Sequence, residues 1–161
     1  MQNTTNHIKR ELQLTADGSH TLFIPEMDEH YHSVNGAVQE SCHVFIEAGL
    51  HHLERGEITI LEIGFGTGLN AFLTLLDAEA CQRKIHYCSI ELYPLGTDVI
   101  ESLNYGEMLC AGRKDVFHAL HQAEWNVAVQ VTEFFELHKI QGDSNTCALP
   151  DRIDLIYFDA F

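Results

Sequence analysis

The sequence is short of positive charge. Its 161 residues carry 9 Lys and Arg against 24 Asp and Glu, a formal net charge of -15. The few bases fall as scattered pairs, Lys9-Arg10, Arg83-Lys84 and Arg113-Lys114, and form no stripe. Non-specific grip on nucleic acid needs clustered Lys and Arg to neutralise phosphates, so this balance argues against that class. Long apolar runs are also missing, and none reaches the length of a membrane span. Residues 1–10 are polar and lack the apolar core of a signal peptide. Cys42, Cys81, Cys88, Cys110 and Cys147 are odd in number and include no Cys-x-x-Cys pair. Reduced thiols in a cytoplasmic protein are therefore expected. The length suits a single domain with a real core.

What is present centres on residues 61–70, Leu-Glu-Ile-Gly-Phe-Gly-Thr-Gly-Leu-Asn. An apolar run at 58–63 enters this stretch and an apolar helical pattern from Leu69 leaves it. Gly64, Gly66 and Gly68 lie between. The pattern predicts a strand turning sharply into a helix, with glycines where backbone must bend and a ligand must come close.

Before this turn, residues 11–24 alternate around Asp17-Gly18 and predict a β-hairpin ended by Pro25. Residues 27–35 contain Asp28, Glu29, His30, Tyr31 and His32, which suit either a pocket wall or a solvated loop; the histidines lack the ligand set of a metal site. Val38, Cys42, Phe45, Ile46, Leu50 and Leu53 predict an amphipathic helix over 36–53, capped by Ser33 or Asn35. After the turn come a helix at 69–79, a strand at 85–91, a helix from Pro94 to about Leu109 and a short helix at 116–123. His118 and His121 are expected at the surface. An extended run follows from Asn126 to Gln141. A loop at 144–151 leads to a buried-type strand at 153–159.

Strands alternating with helices predict a mostly parallel α/β sheet with helices on both faces. Right-handed crossovers give the strand order third-second-first-fourth, which makes the glycine turn a topological switch point where such sheets bind ligands. Glu62, Glu91, Asp143 and Asp159 all fall at that edge. Carboxylates gathered this way cost free energy unless paired or bonded to a ligand.

The glycine spacing departs from the dinucleotide fingerprint Gly-x-Gly-x-x-Gly, because position 69 is Leu. An acid just ahead of the turn suits a positively charged ligand better than a pyrophosphate. S-adenosylmethionine, with a sulfonium and an ammonium, meets this requirement. In that reading Glu91 binds ribose hydroxyls, Asp143 accepts from the adenine amine and Asp159 lies near the transferable methyl.

The 61–70 string closely resembles the MnmC/MnmD-type methyltransferase family. So do Glu40-Ser41-Cys42-His43-Val44-Phe45, Glu91-Leu92-Tyr93-Pro94-Leu95, Gly142-Asp143 and Asp159-Ala160-Phe161. The likeness runs from about residue 11 onward. It implies a class I S-adenosylmethionine-dependent methyltransferase fold (Rossmann-like) preceded by an N-terminal β-hairpin. The implied reaction is the last methylation of 5-methylaminomethyl-2-thiouridine at wobble position 34 of tRNA. The implied cofactor-binding residues are Tyr31, Glu62, Gly64, Phe65, Gly66, Gly68, Asn70, Glu91, Asp143, Asp159 and Phe161. Asp159 is the catalytic candidate for positioning or deprotonating the amine, and Phe161 walls the pocket. A flavin (FAD)-dependent oxidase partner is implied by the family's fusion. Weighed beside this are a methyltransferase for a small amine or protein and a binding-only fragment. The expected layout is a flexible 1–10, hairpin and loop at 11–35, and the methyltransferase domain at 36–161. The family continues beyond a fourth parallel strand with segments not in this sequence, so truncation is expected, with self-association through the exposed strand at 153–158.

Overall fold

The computed structural model describes residues 8–160, so expectations for residues 1–7 and for Phe161 lie outside the described residues. The chain opens with a small antiparallel sheet. Strands β1 (Glu11–Leu14) and β2 (His20–Ile24) form the expected hairpin, and β3 (Glu29–His30) adds a third strand where the sequence suggested only a loop. Its turn does more than reverse the chain. The Asp17 carboxylate accepts from Ser19 N–H and from Gln39 N–H, both at 2.9 Å. Thr15 and Ser19 hydroxyls accept from Ala37 and Val38 N–H. These side chains satisfy the open N-terminus of helix α1 (Ala37–Ser41), whose N-cap is Gly36. Ser33 and Asn35 therefore do not cap it as expected; the donors are met from the hairpin turn instead. Burial opposes the Asp17 charge, but the hydrogen bonds from Ser19, Gln39 and Thr15 outweigh it and lower its pKa to about 2.

The expected helix at 36–53 is helical but not regular. After α1 it loosens into a π-helical turn, Cys42–Glu47, and tightens into a 3-10 turn, Leu50–His52. Next comes β4 (Glu57–Ile63), then α2 (Leu69–Cys81), β5 (Lys84–Glu91), α3 (Thr97–Ser102), α4 (Tyr105–Leu109) and α5 (Lys114–Gln122). The single helix expected up to Leu109 is thus broken at Leu103-Asn104. The break lets buried Leu103 and Tyr105 both enter the core, while Asn104 bonds back to the hairpin at Gly18 and His20. Helix α2 closes in a left-handed residue, Gln82, with Arg83 N–H on the Ala78 carbonyl at 2.9 Å.

The main sheet has the order β6-β7-β5-β4-β8, where β6 is Ala128–Thr132, β7 is Phe135–Gln141 and β8 is Leu155–Phe158. Strands β7, β5, β4 and β8 are parallel, in the expected third-second-first-fourth order around the glycine turn. The run expected as one extended segment from Asn126 is instead a hairpin. It reverses at Glu133-Phe134 and places β6 antiparallel on the outer side of β7.

All helices contribute to one face. There Ile58, Ile60, Tyr87, Leu137 and Tyr157 share a core with Leu69, Phe72, Leu75, Phe117 and Leu120. The opposite face carries a smaller cluster, Leu61, Cys88 and Ile90, packed with Ile63, Ile140 and the loop residues Cys147 and Ile153. Helices on both faces were expected, and the topology explains the difference. Successive right-handed crossovers from β4 to β5 to β7 move in one direction and keep their helices on one side. Only the return from β7 to β8 crosses the other side, and that connection is loop. No helix among the described residues is long and apolar enough to cross a membrane.

Candidate functional site

The carboxyl ends of the parallel strands meet the small N-terminal sheet in a cleft of about 380 Å³. The glycine turn forms its base. Gly64, Gly66 and Gly68 all have positive φ, at 93°, 51° and 73°. Added side chains would also collide. A Cβ on Gly64 would stand 3.0 Å from the Asp159 carbonyl oxygen, and one on Gly66 would stand 3.2 Å from the Tyr31 ring. The turn is therefore both left-handed and tightly overlaid, as a close-approach surface requires.

Six of the expected site residues line the cleft with polar or aromatic side chains or with glycine backbone: Tyr31, Gly64, Gly66, Glu91, Asp143 and Asp159. Glu91 ends β5 and bridges to the turn, accepting from Gly66 N–H at 2.9 Å and from Tyr93 N–H at 2.7 Å. Asp143, in the loop after β7, accepts from the backbone and side-chain amides of Asn145 at 2.9 and 2.8 Å. Asp159, just past β8, accepts from the Asn70 amide at 2.8 Å. Burial pushes the Asp159 carboxyl up to about 6, against the Asn70 hydrogen bond.

Other expected residues lie behind the surface. Asn70 is buried and reaches the cleft only through Asp159. Phe65 and Gly68 pack inward against His121, and Phe65 also meets Trp125. Glu62 does not line the cleft. It is wholly buried on the helix-covered face of β4, accepting from the Ser89 hydroxyl at 2.7 Å, and burial pushes its pKa up to about 8. An anionic contact ahead of the glycines was expected. Alternation along β4 instead turns residue 62 inward with Ile58 and Ile60.

Several cleft residues were not legible as such. Arg10 lies over the rim, donating to the Tyr31 hydroxyl at 2.9 Å and to the Tyr93 carbonyl at 3.3 Å. It and Ile8, grouped above with a flexible terminus, line the cleft beside Ile24, Met27, Tyr93 and Ala160. The only available signal was the rarity of bases. His32 is buried with Nε2 2.8 Å from the Thr67 hydroxyl and Nδ1 3.8 Å from Asp159, and burial pushes its pKa down to about 4. His121 is not a free surface histidine. It approaches the Thr67 carbonyl at 3.1 Å, and burial, with the nearby Lys139 charge, pushes it to about 4. Lys139 is itself buried. Its ammonium bonds the His121 carbonyl at 2.7 Å and lies over the Trp125 ring at 4.6 Å, so a cation closes the end of α5.

These features define a Rossmann-like α/β protein with an acid-lined ligand cleft at its switch point. No family model matches the chain. It is 36% identical over 99 residues to the tRNA 5-methylaminomethyl-2-thiouridine biosynthesis bifunctional protein MnmC of Magnetococcus marinus, covering 58% of this chain and 14% of that protein. The corresponding protein of Marinomonas sp. is 27% identical over 153 residues, covering 84% and 22%. The crystal structure of MNMC2 from Aquifex aeolicus superposes with a TM-score of 0.77 at 25% identity, covering 98% of this chain and 51% of that one. The chain is thus similar to proteins of the MnmC type, as its motifs suggest, and it spans less than a quarter of the length of these two curated relatives.

Proposed function

We propose that the chain is a class I S-adenosylmethionine-dependent methyltransferase domain acting on the aminomethyl group of wobble uridine 34 in tRNA, to form 5-methylaminomethyl-(2-thio)uridine. One observation carries the reading: a cleft at the switch point with Glu91, Asp143 and Asp159 as its acids, above a turn of left-handed glycines. Such a lining repels phosphate and attracts a ligand with positive centres and hydroxyl donors. The donor set fits S-adenosylmethionine. Glu91 would hold the ribose hydroxyls, Asp143 the adenine amine, and the bare backbone at Gly64 and Gly66 would allow close approach. Arg10, the single basic side chain lining the cleft among the described residues, suits the carboxylate. When bound, the cofactor supplies a methyl group activated on its sulfonium.

The chain's own part is orientation and proton handling. Asp159, held by Asn70, accepts a hydrogen bond from the attacking amine and steers its lone pair into the cleft. On transfer of that methyl group to the amine, the nitrogen's surplus proton would pass to Asp159 and on to water. With a pKa of about 6 the carboxyl is mostly ionised at neutral pH and ready to accept it.

The net charge of -15 favours a second reading, a small amine or a protein in place of tRNA. A binding-only module is the third. Within the first reading, a flavin-dependent oxidase partner presents the tRNA, and the protein works in the cytoplasm. Incubating the chain with methyl-labelled S-adenosylmethionine and bulk tRNA lacking the wobble methyl separates the three. Label in tRNA is expected; binding without transfer to any RNA overturns the first reading. Asp143→Ala is expected to weaken cofactor binding, and unchanged affinity removes the adenine assignment. Self-association through β8, where Ile156 and Phe158 are exposed at the sheet edge, is checked by sedimentation.

A further inference from the structure

Beneath the cleft, Glu62 Oε1, Asn70 Oδ1 and the Tyr87 hydroxyl are buried with no hydrogen-bond partner among the described residues. The three side chains are neighbours, because Glu62 interacts with both Asn70 and Tyr87. Asn70 is oriented from its other end, where Nδ2 donates to Asp159 at 2.8 Å. Its carbonyl oxygen is thereby left inside the buried cluster. An ionised carboxylate and an amide carbonyl are both acceptors, and beside them only the Tyr87 hydroxyl has a hydrogen to give, so an anionic Glu62 would leave one of the two buried acceptors without a donor. One proton on Glu62 supplies the missing donor.

We propose that Glu62 is a positioning residue that carries a proton on Oε1, donates it to the Asn70 carbonyl oxygen, and so fixes the amide that orients the Asp159 carboxylate. The proposal rests on the reading of Asp159 as the group facing the amine. The surroundings agree with it. Tyr87 and Ser89 face Glu62 from β5, Asn70 from α2, Tyr157 from β8 and Asp159 from beyond that strand. None of these is a cation. His32, next to Asp159, is held neutral by burial. Burial first, and then the Asp159 charge, push the Glu62 carboxyl up, while hydrogen bonding to Ser89, Tyr87 and Asn70 opposes them only in part.

The test begins with infrared difference spectra of the full chain, wild type minus Glu62→Gln. A protonated-carboxyl band is expected at pH 7, absent from the variant and fading as pH rises through about 8. In calorimetric titration with S-adenosylmethionine, Glu62→Ala is expected to weaken binding about tenfold, and the neutral isostere Glu62→Gln to restore most of the loss. Thermal stability gives a third readout. The native acid titrates at about 8 against an ordinary value of 4.5, so ionisation opposes folding and wild-type stability falls across that window. Glu62→Gln should flatten the fall. Absence of the band at pH 7, or Glu62→Gln binding as weakly as Glu62→Ala, overturns the proposal and makes Glu62 a buried anion that does not orient Asn70. Should the chain bind no S-adenosylmethionine, the methyltransferase reading fails, while the infrared and stability measurements still decide the state of Glu62.

Discussion

The two ends of the main sheet treat carboxylates differently. At the amino ends of the parallel strands, acids have cationic or titratable partners. His86 sits between Glu57 at 2.6 Å and Glu136 at 3.0 Å, and Asp154 is paired with Arg55 and Arg152. At the carboxyl ends, Glu91, Asp143 and Asp159 accept from amides: the Gly66 and Tyr93 backbone, Asn145 and Asn70. Among the described residues no Lys or Arg forms an ion pair with these three. Neutral donors fix the direction of a carboxylate without cancelling its charge, so the charge stays available to something that enters the cleft. The paired acids join strands together; the amide-held acids keep their charge facing the cleft.

The sharpest way to break this contrast is Asp159→Asn. It keeps the shape and removes the charge, and turnover of the amine is expected to fall on the order of a hundredfold or more, measured in single-turnover methyl transfer. Stability should move the other way. The native carboxyl titrates at about 6, above its ordinary 3.8, so its ionisation opposes folding as pH rises through that window. The Asn variant should therefore melt higher than wild type at pH 7. Next in size is Glu91→Ala, expected to weaken S-adenosylmethionine binding by about tenfold or more, as loss of a hydrogen bond to a charged group predicts. Calorimetry checks this, and an unchanged dissociation constant would remove Glu91 from the ribose site.

Gly64→Ala probes the frame that carries both acids. At a φ of 93° and 3.0 Å from the Asp159 carbonyl, the new methyl should destabilise the fold by about 1–2 kcal/mol and weaken binding together. Chemical denaturation alongside titration separates the two losses. The smallest effect belongs to the other end of the sheet. Hydrogen bonds to Glu136 and then Glu57 raise the His86 pKa above 6.5. Its stabilising contribution is present below 6.5 and lost as pH rises through the raised value. Melting temperatures scanned across that range should show a shallow decline that His86→Gln abolishes, with cofactor affinity untouched.

Much of this contrast was legible in the sequence, because residue pattern and strand polarity decide it. Ile58, Ile60 and Leu61 feeding into three close glycines fix a strand–turn–helix, and right-handed crossovers then place Glu91, Asp143 and Asp159 at one edge. What was not legible depended on contacts between distant segments. Asp17 caps a helix that starts 20 residues later in the chain, so nothing near Gly36 announces the cap. The β6–β7 hairpin turns on Glu133-Phe134, which lack the glycine or asparagine that marks tight turns. Glu62 looked like a ligand contact because it precedes the glycines, yet the alternation along β4 buries it. His121 and Lys139 gave no local sign that their partners were Thr67 and the end of α5.

The register of β8 against β4 bears on how the chain acquires its structure. Ile60 pairs with Leu155, so one edge of a central, strongly apolar strand has no partner until residue 155 has been made. The other edge is served much sooner by β5, through the pair of Ile58 with Ile85. Non-local parallel pairing closes a long loop before any contact rewards it, which makes it a slow event in folding. During synthesis, the outer side of β4 is therefore a window for mispairing, and its length is set by translation speed over residues 64 to 155. A slowed ribosome in that interval should lower the yield of native protein without changing a single residue.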